Sequence, residues 1–91
     1  MNNWSNETMR AVNFRRLIRF IQTNLKEFLF EPVDSTTETS IINIVTKILT
    51  RAYKDNFIIE TELNYEKRDI ITRIFTPDGE VEFAMTTYEK N

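Results

Sequence analysis

Residues 13–34 read NFRRLIRFIQTNLKEFLFEPVD, and their apolar side chains recur at steps of three and four. This spacing predicts one apolar face of an α-helix. The face consists of Phe14, Leu17, Ile18, Ile21, Leu25 and Phe28. We predict Asn13 as the N-cap and an end near residues 26–28, with residues 8–12 available to extend the helix backwards. Phe20 breaks the pattern, so we expect it at the edge of the stripe or against a partner.

A second helix is predicted after the proline at position 32. The bulky run at residues 28–30 suits a short buried strand. Glu31, the residue before the proline, should also adopt an extended conformation. Ser35 and Glu38 have the spacing of a capping box, and Asp34 adds a carboxylate at the positive end of the helix. Apolar residues at helical spacing then predict a helix over residues 36–54. They are Ile41, Ile42, Val45, Ile48, Leu49, Ala52 and Tyr53.

From residue 57 the apolar period changes to two, which is typical of half-buried strands. We predict strands over residues 57–65, 70–76 and 80–88, and the first has its core side chains at Phe57, Ile59, Thr61, Leu63 and Tyr65. In the turn at residues 77–79, proline presets φ, aspartate bonds its own backbone and glycine takes the left-handed conformation. The predicted fold class is α+β, with two helices packed on a three-stranded antiparallel sheet. It forms one domain (residues 9–91) after a flexible N-terminal arm (residues 1–8).

Composition excludes several function classes. The 91-residue chain has no cysteine and no histidine, so disulfides, thiolate nucleophiles and the commonest general base and metal ligand are excluded. Its one glycine cannot form a phosphate-binding loop. Glu60 and Glu62 share a strand face, where two carboxylates are far more often solvated than catalytic. We therefore predict a protein that is not an enzyme and that has no cofactor and no metal site.

Membrane insertion is not expected from the sequence. No apolar run approaches the ~20 residues that span a bilayer. The first ten residues are polar and do not form a signal peptide. A cytoplasmic setting without membrane contact is the expectation.

Charge is distributed unevenly along the chain, although the net charge is only −2. Residues 9–26 contain basic side chains and no acidic one, whereas acidic side chains prevail from residue 57 onwards. This asymmetry fits head-to-tail self-association, and it fits equally a basic helix that pairs with its own sheet. Nucleic-acid binding is the less favoured alternative, because the chain is acidic and the basic patch is small. Its phosphate contacts would come from Arg10, Arg15, Arg16, Arg19 and Lys26, with Phe20 stacked on a base.

An assembly module is the third function class. Three short strands leave two open sheet edges, and an open edge is a template for a strand from another chain. Charges at Glu60, Glu62, Glu80 and Glu82 would discourage indiscriminate pairing. Trp4 in the N-terminal arm is a candidate for docking on this chain or another.

The segment NFRRLIRFI at residues 13–21, followed by FLFEP at residues 28–32, resembles the C-terminal domain of contractile-tail sheath proteins. These proteins occur in myophages, R-type bacteriocins and related injection systems. The family pattern is approximately NVRRL, a helix, FxFEPND, a second helix and a β region, and this order is matched over residues 12–87. Val33 replaces an asparagine of the pattern, residues 61–65 lack its cysteine, and a full sheath protein is several times longer. We expect a small stand-alone relative, with a baseplate sheath initiator as the obvious candidate. The alternatives are a shortened piece of a sheath protein and a diverged small phage protein with a nucleic-acid-binding or regulatory role.

The resemblance implies a structural role in the virion, with assembly in the host bacterial cytoplasm. In sheath proteins this domain lies against the tail tube, and arms from neighbouring subunits complete its sheet. By position, the strands at residues 57–65 and 80–88 would accept or flank such arms. Arg15, Arg16 and Arg19 would contact a neighbour or the tube. The implied partners are the protein itself or other tail proteins of the sheath, tube or baseplate.

Overall fold

A computed structural model of the chain describes residues 6–86. The elements in chain order are α1 (Asn6–Leu25), a 3₁₀ turn (Lys26–Phe28), α2 (Ser35–Tyr53), β1 (Ile58–Asn64), β2 (Asp69–Thr76) and β3 (Gly79–Thr86). The strands form one antiparallel sheet in the order β1-β2-β3. The predicted α+β fold of two helices on a three-stranded antiparallel sheet is therefore confirmed.

The hydrophobic core lies between the two helices and one face of the sheet. Its buried residues are Ile18, Ile21 and Leu25 of α1, Val33, Ile41, Val45 and Leu49 around α2, and Ile70 and Ile74 of β2. Apart from Val33, these residues lie in the predicted helices and strands. The alternation of β1 and β3 leaves a second sheet face in solvent, which we call the open face.

The tight turn between β2 and β3 is organised by a threonine. Thr76 pairs with Gly79 in the sheet register. The Thr76 hydroxyl donates to the Gly79 carbonyl oxygen at 3.0 Å and accepts from the Asp78 backbone N–H at 3.1 Å. The prediction that Asp78 bonds its own backbone is wrong, because its carboxylate instead accepts hydrogen bonds from Arg10 and Tyr53.

The start of α1 differs from the prediction. The chain is already helical at Asn6, so Asn13 is an exposed residue within the helix and is not the N-cap. Residues 6–8, assigned to the flexible arm, belong to α1, and Trp4 lies outside the described residues. The hydrogen bonds of Arg10 to the β2–β3 turn explain the longer helix, because they fix its first turns against the sheet.

Residues 28–30 do not form the predicted strand. The Leu29 N–H donates to the Lys26 carbonyl oxygen at 3.2 Å, and the Glu31 N–H donates to the Phe28 carbonyl oxygen at 3.1 Å. These short-range bonds satisfy the backbone locally, so no partner strand is needed. Phe28 packs against the core, whereas Phe30 is 62% exposed.

The cap of α2 is Asp34 and not Ser35. Oδ1 of Asp34 accepts from the Thr37 N–H at 2.9 Å. Glu38 does not complete a capping box, because its carboxylate accepts from the Thr61 hydroxyl in β1 at 2.8 Å. The predicted core position of Tyr65 is also wrong, since β1 ends at Asn64 and leaves Tyr65 exposed in the turn.

Candidate assembly interface

β3 is an edge of the sheet, and half of its backbone groups face away from β2. Thr76 and Gly79 close a two-residue loop as a hydrogen-bonded pair, and such pairs alternate with non-bonded ones along an antiparallel ladder. The outward N–H and C=O groups therefore belong to Glu80, Glu82, Ala84 and Thr86. Within residues 6–86, no other strand pairs with them.

An apolar groove of about 400 Å³ runs between β3 and the end of α1. Leu25 and Leu29 line its helical side, and Phe83 and Met85 line its strand side. Lys26 adds a positive charge to its wall. An extended segment bound to β3 would place every second side chain on this side of the sheet, beside the groove. The β3 edge and this groove together are called the β3 site.

A basic stripe continues from the β3 site along α1. Arg15, Arg19, Gln22 and Lys26 are spaced by four, three and four positions, so they share one side of the helix. Gln22 and Lys26 line the groove, which places Arg15 and Arg19 further along the same side. Neither arginine forms an ion pair among the described side chains. They are therefore available to acidic groups of a partner.

The open face carries the four glutamates predicted as interaction residues. Arg73 lies between two of them: its Nε donates to Glu82 at 2.8 Å, and its Nη2 donates to Glu62 at 3.1 Å. These hydrogen bonds raise the pKa of the Arg73 guanidinium above its ordinary value. Glu60 and Glu80 lie on the same face. Sequence reasoning missed Arg73, although counting back from the two-residue turn places it opposite Glu82.

Phe20 and Arg16 are exposed but do not join the β3 site. Arg16 lies about 100° round α1 from Arg15. Phe20 is 56% exposed and lines a separate groove between α1 and α2. The predicted interaction residues within residues 6–86 therefore lie on three surfaces: the β3 side, the open face and the outer side of the helices. Sequence reasoning also missed Leu29, Phe83 and Met85 as groove residues, because their role depends on where α1 lies against β3.

A polar cluster fixes α1 beside the β2–β3 turn. Asp78 accepts from Arg10 Nε at 2.6 Å and from the Tyr53 hydroxyl at 3.0 Å. These two hydrogen bonds hold the pKa of the Asp78 carboxyl below its usual value. Burial, with a smaller contribution from Asp78, raises the pKa of the Tyr53 hydroxyl. The cluster joins both helices to the turn and so helps to position α1 along β3.

The described residues contain no group of three or more His, Cys, Asp or Glu side chains that could hold a metal ion. Among the same residues, no helix has the length and apolar character to cross a bilayer. No family model, curated protein or solved structure matches the chain.

Proposed function

We propose that the chain is a non-enzymatic structural assembly component of a contractile phage tail or a related injection machine. Neighbouring subunits are joined by strand addition at the β3 site and by charge contacts. The observation that carries the proposal is the outward backbone of β3 beside an apolar groove. A strand added there forms main-chain hydrogen bonds with the β3 backbone and buries its side chains in the groove.

The β3 edge is favoured over the β1 edge. In the central strand, residues alternate between bonding β1 and bonding β3, so the outward backbone groups of β1 belong to Ile59, Thr61 and Leu63. Beside this edge the Glu38 carboxylate binds the Thr61 hydroxyl. β3 instead borders apolar side chains and a helix with exposed cations. Within residues 6–86, the β3 edge therefore combines an open backbone with an apolar groove.

The β3 site defines the chemistry of the incoming strand. Side chains on its inner face are apolar, because they lie at the groove of Leu25, Leu29, Phe83 and Met85. Side chains on its outer face are basic or polar, because they come to lie beside Glu80 and Glu82. Acidic residues that flank the strand pair with the basic stripe of α1.

The proposed setting rests on the sheath resemblance. The order of helix, turn, helix and strands agrees with the order expected from the RRL and FEP segments. The partner is then a second copy or another tail protein of the sheath, tube or baseplate. The protein acts in the virion after assembly in the host bacterial cytoplasm.

Light scattering across a concentration series tests homomeric assembly with wild type, Glu82→Pro and Glu82→Ala. The Glu82 N–H points outward, so proline removes a donor for the added strand and keeps the bonds to β2. Glu82→Ala is the matched control, because it also lacks the carboxylate but keeps the N–H. We expect mass to grow with concentration for wild type and Glu82→Ala, and a folded monomer for Glu82→Pro. Equal growth of all three would exclude the β3 edge, and a monomeric wild type would overturn homomeric strand addition.

Nucleic-acid binding remains the alternative function, favoured by the exposed Arg15, Arg16 and Arg19. The same scattering series with added DNA or RNA tests it. Binding that weakens with salt and is lost in the triple charge reversal to glutamate would support this alternative. Unchanged mass on addition of either nucleic acid would exclude it at the concentrations used.

A further inference from the structure

A second groove lies between α1 and α2 and has no part in the β3 site. Its volume is about 550 Å³, and no strand residue lines it. The lining residues are Leu17, Phe20 and Asn24 of α1, and Ile44, Lys47, Ile48, Arg51 and Ala52 of α2. We call it the interhelical groove. It opens on the side of the helices that faces away from the sheet.

The floor and the rim of the interhelical groove differ in chemistry. Leu17, Ile44 and Ile48 give an apolar floor, while Phe20 remains more than half exposed at its border. The two charged lining residues, Lys47 and Arg51, are both basic. Neither forms an ion pair among the described side chains. A partner that covers the floor must therefore bring acidic groups to the rim.

The walls of the groove determine the backbone conformation of its occupant. The helical backbones on both sides already use their N–H and C=O groups internally, so an extended peptide would find no backbone partner there. A helix satisfies its own backbone, and its apolar ridge fits between two other helices. The lining residues span two turns of each helix, or about 10 Å. This length matches apolar residues at positions i, i+3 or i+4, and i+7 of a partner helix.

A second copy of the chain does not supply such a helix from its described residues. Among the side chains that the structure describes, the exposed charged residues of α1 are arginines, and those of α2 are Lys47 and Arg51. Like charges would meet if the helices of two copies packed outer side to outer side. The occupant is therefore expected on a different protein.

We propose that the interhelical groove docks an acidic amphipathic helix of a partner protein. Phe20 and the floor residues contact the apolar ridge of that helix. Lys47 and Arg51 contact carboxylates on its flank. The groove adds a docking surface that is independent of strand addition, so one subunit can hold two partners in two different ways.

Fluorescence anisotropy with two designed helical peptides tests this proposal on the full chain. Both peptides carry the same leucines at i, i+3, i+4 and i+7, with glutamates on the flanks of one and lysines on the flanks of the other. We expect the glutamate peptide to bind wild type and the lysine peptide to bind at least about tenfold more weakly. Absence of glutamate-peptide binding up to about 1 mM would overturn the proposal.

Two matched pairs of variants locate the binding surface. Phe20→Ala is compared with Phe30→Ala, which removes a similarly exposed phenylalanine elsewhere. Lys47→Glu/Arg51→Glu is compared with Arg15→Glu/Arg19→Glu on the other side of α1. We expect the first member of each pair to weaken binding roughly tenfold or more and the second to leave it nearly unchanged. Equal losses within each pair would exclude the interhelical groove.

The Glu82→Pro variant separates the two proposals. Its interhelical groove is intact, so it should bind the glutamate peptide as wild type does. Loss of peptide binding in this variant would place the peptide at the β3 edge and overturn docking between the helices. Monomeric behaviour with retained peptide binding is the result expected if both proposals are correct.

Discussion

The Nε atom of Arg10 lies 2.6 Å from Oδ1 of Asp78, although 68 positions separate the two residues in the chain. The second oxygen of the carboxylate accepts from the Tyr53 hydroxyl, and Arg10 Nη2 donates to the Pro77 carbonyl oxygen at 3.2 Å. One carboxylate thus joins the first turns of α1, the end of α2 and the β2–β3 turn. Since α1 forms one wall of the β3 site, this cluster helps to maintain the site.

Asp78→Ala should destabilise the protein more than Arg10→Ala. The Asp78 side chain is only 18% exposed and serves two donors, whereas that of Arg10 is 56% exposed. We expect a loss of about 1–3 kcal/mol for Asp78→Ala, which leaves the half-buried Tyr53 hydroxyl without this acceptor. Removal of the exposed Arg10 should cost about 1 kcal/mol or less. Urea unfolding measures the loss of unfolding free energy in each variant. Equal losses would contradict the central role of Asp78 in the cluster.

Stability should fall towards low pH partly through Asp78. Its pKa lies below the ordinary value of 3.8, so the folded state resists protonation more than the unfolded state does. The contribution is present above that value and is lost as the pH falls through the folded pKa. The stability difference between wild type and Asp78→Asn should therefore shrink below about pH 4. A constant difference in urea titrations from pH 7 to pH 2 would contradict this assignment.

The opposite pH dependence is expected from Tyr53. Burial raises the pKa of its hydroxyl, so the contribution is present below the ordinary value of 10.0 and is lost as the pH rises through the folded pKa. Tyr53→Phe removes the ionisable group. We expect this variant to be about 1 kcal/mol less stable at pH 7 and to lose less stability between pH 9 and 11. Urea unfolding at each pH measures the free energy of unfolding of wild type and Tyr53→Phe. Parallel plots of this free energy against pH would exclude the proposed role of Tyr53.

Gly79→Ala should destabilise the β2–β3 turn. Gly79 has φ +152°, and an added Cβ would lie 3.2 Å from Cε2 of the Phe14 ring. Backbone strain of this kind costs about 1–3 kcal/mol, and the phenylalanine must also shift. Glu80→Ala at the next, exposed position is the control and should stay within about 0.5 kcal/mol of wild type. Thermal unfolding distinguishes Gly79→Ala from Glu80→Ala. Similar unfolding midpoints would show that the turn accommodates alanine without loss of stability.

The elements themselves could be predicted because burial imposes their periodicity. Ile18, Ile21 and Leu25 follow the helical period, and Ile70 and Ile74 follow the strand period. The strand bounds differ little from the prediction. The strand predicted over residues 57–65 is observed at Ile58–Asn64, and the one predicted over residues 70–76 is observed at Asp69–Thr76. The confirmed part of the fold is therefore the part in which one face of an element meets the core.

Caps and turns could not be predicted in the same way. Asp34 and Ser35 are both good N-caps, and side-chain acceptors compete for the same few amides at nearly equal energy. Contacts with residues distant in the chain determine which acceptor is used. Glu38 accepts a hydrogen bond from Thr61, and Asp78 accepts one from Arg10. The same limit applies to the β3 site. The charges of α1 and the open edges were visible in the sequence, but the groove depends on how α1 lies along β3.

The cap of α2 yields a paired test of that competition. Asp34 accepts from the Thr37 N–H at 2.9 Å, whereas Ser35 is exposed in the first turn. Asp34→Ala should cost about 1 kcal/mol, because an orphan amide and a favourable interaction with the helix dipole are both lost. Ser35→Ala should change stability by less than about 0.5 kcal/mol. If denaturant unfolding ranks Ser35→Ala as the more harmful change, Ser35 is the cap in solution.

Arg73 should stabilise the sheet by offsetting repulsion among the carboxylates of the open face. It hydrogen-bonds to Glu62 of β1 and Glu82 of β3 and so links the two edge strands across β2. Arg73→Glu would place a fifth carboxylate among Glu60, Glu62, Glu80 and Glu82, and like charges on neighbouring strands destabilise a sheet. We expect a lower melting temperature than for Arg73→Ala, with a deficit that shrinks in high salt because the exposed charges are then screened. Circular-dichroism melts at low and high salt measure this deficit. A deficit independent of salt would show that repulsion between the introduced carboxylate and the neighbouring glutamates is not its cause.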